Sequence, residues 1–117
     1  MPTQPGRAAQ MIYKFKSKAG GDILMLGPNG DALLRAIGRD PAAKGIIEPP
    51  AMAAAIAAIE QAVAVDEAAR REAESEAAAQ GRTLPPRDGV SIRQRMWPMV
   101  DLLKRSAAEE VPVVWGG

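Results

Sequence analysis

The chain has 117 residues, 47% of them apolar, a net charge of +1, and neither cysteine nor histidine. That length holds one domain with one core rather than two ordinary ones. The missing residue types exclude disulfide scaffolds, Cys/His zinc sites and nucleophiles activated by imidazole, which leaves carboxylate, lysine, tyrosine or hydroxyl chemistry. The expectation is therefore a protein that is not an enzyme, with no catalytic residue, metal or cofactor.

Tyr13, Phe15, Trp97 and Trp115 are the only aromatics, and alanine dominates the apolar count. Larger side chains must then supply most of the core. Charge is uneven: residues 1–48 carry +3, residues 49–81 carry −4 and residues 82–117 carry +2. Such polarity favours charge-steered self-association or a mixed-charge partner, and its ordinary alternative is a solvated acidic helix. No run approaches the roughly 18 apolar residues of a membrane span. The opening "MPTQPGRAAQ" has no apolar segment of signal-peptide length. No membrane contact and a cytoplasmic location are expected, with residues 1–10 a disordered leader and residues 11–117 a single domain.

"MIYKFK" alternates, with Tyr13 and Phe15 on one side and Lys14, Lys16 and, if the strand runs on, Lys18 on the other. "SKAGGD" supplies a turn and "DILML" a second strand, so a hairpin spans residues 11–26. The second strand is apolar on both faces and is expected inside the sheet. "GPNGDALLRAIG" then reads as a turn that launches a helix. Pro28 suits the first helical position or Asn29 caps it, Asp31 complements the helix start, and Gly38 closes the end. A phosphate loop would need a Lys and a hydroxyl after Gly30, where Asp31 and Ala32 stand. Only a weak anion site at Asn29 and Gly30 survives as an alternative to the turn.

"GIIEPP" offers a short strand that the prolines end. From Ala51 a helix of about 30 residues follows, about 45 Å long, with Met52, Ile56, Ile59 and Val63 as its buried stripe. After Val65 the large apolar residues stop, so the second half projects, bends back or meets another chain. Its small-residue line Ala58, Ala62, Val65, Ala69, Ala73 and Ala77 offers a seam for a second helix, although alanine also simply favours helix. Gly81 ends it. Ser91 and Gln94 form a capping-box pattern before another amphipathic helix, which Pro98 kinks or restarts. "VPVVW" closes the chain as a strand, placed at an edge by Pro112.

"RQRMWPM" is the most unusual local combination. Arg93, Arg95 and Trp97 are residue types favoured at interfaces; the bland reading buries Trp97 beside Pro98 while the arginines snorkel. With the lysine face, Arg93 and Arg95 could also bind a small anion or nucleic acid. No aromatic interleaves the lysines as a single-strand platform would want, so nucleic acid is not the expected partner.

The strings "MIYKFKSKAGGDILMLGPNGDALLRAIG", "KGIIEP" with "AMAAAIAAIEQAV", and "VSIRQRMWPMVDLLKRSA" with "VPVVWG" resemble the domain-of-unknown-function family numbered 1840, small bacterial cytoplasmic proteins. The resemblance covers residues 11–117, loosest over residues 66–89. It implies no catalytic residue, ligand or cofactor. The fold expected is α+β: a small, mostly antiparallel sheet of hairpin and C-terminal strand, covered on one face by three helices, one of them long. The function expected is protein interaction or self-association with a second copy or another protein, through the long helix or the sheet edge.

Overall fold

The structure is a computed structural model that describes residues 12–85 and 91–116. The expected leader, residues 1–10, lies outside these. Strands β1 (Ile12–Ser17) and β2 (Gly20–Leu26) form the expected hairpin, with Tyr13 opposite Met25 and Phe15 opposite Ile23. Helix α1 (Gly27–Ala36), strand β3 (Gly45–Ile47), helices α2 (Pro49–Ala79) and α3 (Ile92–Glu109), and strand β4 (Val113–Trp115) follow. All strands pair antiparallel in the order β2-β1-β4-β3, and the three described helices pack on one face. This is the α+β architecture expected.

Alternation along the strands decides which face is covered. Tyr13, Phe15, Met25, Ile47, Val113 and Trp115 turn inward and are buried. They meet Leu33 and Leu34 of α1, Met52, Ile59 and Val63 of α2, and Met96, Met99, Val100 and Leu103 of α3 in one cluster. The Tyr13 and Phe15 rings stack at 5.8 Å and Phe15 tilts onto Trp115 at 5.4 Å. Three aromatics thus run across the middle strands, where their large buried areas count most.

Two strands lie elsewhere than their sequences suggest. β2 is an edge strand, and β4 sits between β1 and β3. Pro112 stands one residue before β4, so the ladder loses no N–H to it and the strand is free to pair on both sides. In β2, Leu24 and Leu26 point away from the helices and stay exposed. Its two-sided apolarity therefore marks a bare surface and not an interior position.

The helix ends follow local chemistry. Gly38 and Gly81 take positive φ, and the next residues close the turn by Arg39 N–H to Leu34 O and Arg82 N–H to Ala77 O. Ser91 Oγ accepts the Gln94 N–H while the Gln94 side chain accepts the Ser91 N–H, completing the capping box. Pro98 neither breaks nor restarts α3, which runs on through it with Pro98 on the exposed side. Pro49 and Pro50 open α2 two residues earlier than expected, because first-turn N–H groups have no helical partner to lose.

At 31 residues α2 is about 46 Å long. Its middle lies antiparallel to α3, bridged by Lys104 to Glu60 at 3.8 Å and Arg93 to Glu67 at 2.8 Å. Beyond Glu67 the helix outruns the start of α3, and the returning chain comes back beside it. Arg70 donates to Pro85 O at 2.8 Å, and Ala77 is buried outside the main core. The projecting half therefore carries part of its own cover.

Candidate functional site

The start of α1 holds Asn29 and Gly30, the candidate anion site. Leu26 occupies the cap position without a side-chain bond, and Pro28 lies in the first turn. A Cβ on Gly30 would overlap the Tyr13 ring, and the Tyr13 hydroxyl donates to Asp31 Oδ1 at 2.5 Å. Burial, and then that hydrogen bond, push the Tyr13 hydroxyl up to about 12. An aromatic ring and a carboxylate fill the place. Asn29 is not the cap; its Oδ1 accepts from Arg95 Nη1 at 3.2 Å. Two residues put forward for different sites thus bind each other.

The start of α3 brings the other candidates together. Arg93 grips the Glu67 carboxylate with both Nε (2.8 Å) and Nη2 (2.9 Å). Its guanidinium lies over the Trp97 ring at 4.7 Å. The hydrogen bond to Glu67 raises the Arg93 pKa further, so the group stays charged. A fork already filled by a carboxylate is a brace between α2 and α3 and a poor phosphate receptor. Trp97 does not fill the core: it is 38% exposed, one turn beyond the arginine that backs it.

The basic groups do not converge. Lys14 and Lys16 are exposed on the outer sheet face, with Lys14 3.7 Å from Asp22, while Arg93 and Arg95 stand on a helix covering the inner face. The alanine seam is divided as well. Ala69 and Ala73 are exposed, whereas Ala77 is buried within this chain and offers nothing to a second helix. Among the described residues no group of three or more acidic, His or Cys side chains could hold a metal, and no helix is long and apolar enough to cross a membrane.

The profile of a domain of unknown function, DUF1840, matches residues 11–115. The chain belongs to the DUF1840 family. No curated protein and no solved structure matches it. The DUF1840 match runs from the residue before β1 to the last residue of β4, so the family's unit includes all four strands and the helices between them.

One surface of this DUF1840 domain went unnoticed in the sequence. Register places Ile12 and Lys14 of β1 beside Leu26 and Leu24 of β2, and Lys16 beside Val114 of β4, which faces Ile46 of β3. These residues form the outer face, and most are exposed. The signal was present in "DILML", where leucines occupy the positions that a half-covered strand normally gives to polar residues.

Proposed function

We propose that this chain is a non-enzymatic protein-interaction module whose outer sheet face is covered by another polypeptide. One observation carries the reading. Ile12 (59%), Leu24 (64%), Leu26 (58%) and Ile46 (39%) are exposed on the sheet face opposite the helices. Exposed large apolar side chains gathered on one face are typical of interaction sites on soluble domains. Lys14 and Lys16, set among the apolar residues, keep the bare face soluble and favour a partner that brings carboxylates.

The test is native mass spectrometry of untagged protein recovered gently from its own cells. The wild type is expected above the mass of the single chain, and the Leu24→Lys/Leu26→Lys variant at that mass. These two side chains are exposed, so the variant should fold. Recovery of both as bare monomers would end this reading.

A further inference from the structure

We infer that the side of the molecule formed by the β2 edge and the adjoining flank of α3 is the interface for a second copy of this chain. The inference rests on the reading of the chain as an interaction module, and it supplies one partner and its arrangement.

The two sheet edges are treated differently. β3 is three residues long and runs straight into Pro49 and Pro50, two devices that discourage pairing. β2 is seven residues long with no proline and no lysine; its one irregularity sets Gly21 and Asp22 against Lys16 of β1, and residues 23–26 pair regularly. Its one charge, Asp22, lies 3.7 Å from Lys14. That regular stretch of edge, free of proline and lysine, is a template for another strand.

The flank of α3 lies beside that edge. A depression of about 200 Å³ is lined by Gly20, Gly21 and Ile23 from the strand region and by Pro98, Leu102 and Arg105 from the helix. Trp97 stands exposed next to it, its ring backed by Arg93. An ordered, exposed tryptophan is a favoured anchor at interfaces.

Charge says which partner fits. Asp101 and Arg105 lie one turn apart on this flank, 3.5 Å from each other and well exposed. A two-fold axis through the flank sets Asp101 of one copy against Arg105 of the other, twice, with no like charges opposed. The strand is self-complementary too. Antiparallel alignment about Met25 stays within the regular stretch and puts Leu24 of each copy opposite Leu26 of the other. With the axis normal to the sheet, both outer faces stay on the same side. Leu24 and Leu26 of each copy then meet at the joint, widening the apolar platform.

Sedimentation velocity over a concentration series tests this with charge reversals. The wild type is expected to dimerise, and Asp101→Arg and Arg105→Asp should each weaken the dimer at least tenfold. The double variant should regain wild-type affinity, because the swapped charges again face each other. The pair within one helix cannot produce that pattern, since it affects only the monomer. A dimer indifferent to both single variants, or a double variant that stays dissociated, would overturn the inference. If that indifferent dimer is lost in Ile46→Lys, the outer-face reading survives alone. A chain monomeric at every concentration would overturn this inference and leave the outer face to a different protein.

Discussion

The Tyr13 ring occupies the space where a Cβ on Gly30 would stand, and its hydroxyl continues to Asp31 on the same helix. Helix propensity alone says that alanine inside α1 should gain about 1 kcal/mol over glycine. Packing decides the other way. Tyr13 is fixed in β1, stacked on Phe15, and cannot withdraw. Gly30→Ala is expected to lose about 2 kcal/mol or more in denaturant unfolding. An unchanged or raised midpoint would show that the ring has room to move.

The same tyrosine sets an alkaline limit. Its hydroxyl is raised from 10.0 to about 12 by burial and by Asp31. The folded state holds this proton more tightly than the unfolded chain, so its contribution is complete below about pH 10. It is lost as pH rises through about 12. The informative quantity is wild type minus Tyr13→Phe, which isolates this hydroxyl. That difference in unfolding free energy, read by urea titration, should be largest near neutrality, about 1–2 kcal/mol for the lost hydrogen bond, and should shrink from pH 10 upward. A difference that stays constant to pH 12 would separate Tyr13 from the alkaline transition.

What could be read in advance was local. The alternation around Tyr13 and Phe15, the stripe Met52–Ile59–Val63, the Ser91–Gln94 box and the glycine stops depend on neighbours a few residues away. Lateral strand order does not. It is fixed by Phe15 pairing with Trp115, residues near opposite ends of the chain, and nothing in "DILML" records which of its sides will be left open. The candidate side chains behave similarly. Arg95 with Asn29 and Arg93 with Glu67 are partners across different elements, which spacing along one helix cannot reveal.

Ser106 is the one fully buried polar side chain among the described residues. Its hydroxyl donates to Leu102 O at 2.7 Å, so at 2.6 Å the Ser17 hydroxyl must donate to it. Ser17 Oγ in turn accepts the Ala19 N–H. This chain of bonds ties the hairpin turn to α3 with each hydroxyl proton used. Ser106→Ala leaves the Ser17 hydroxyl without its acceptor and should lose about 1–2 kcal/mol. Ser17→Ala/Ser106→Ala should lose less than the two single variants added together, because they share one bond. Strict additivity in a double-mutant cycle would mean the two serines act separately.

Glu110 holds the position at the end of α3 that Gly38 and Gly81 hold at the other two helices. It adopts φ 56 and ψ 42. Its N–H and that of Val111 donate to Ala107 O and Ser106 O, the same closing pattern as after α1 and α2. A side chain in left-handed backbone is strained by about 1 kcal/mol, which glycine avoids, while glycine also gives the unfolded chain more freedom to lose. The relief of strain outweighs the entropy at an exposed C-terminal position, so Glu110→Gly is expected to stabilise by about 0.5 kcal/mol. Gly81→Ala, the reverse change at the end of α2, should destabilise by about 1 kcal/mol. Thermal unfolding of the two variants beside wild type should move in opposite directions. A fall in both would mean that Glu110 contributes something its left-handed backbone does not account for.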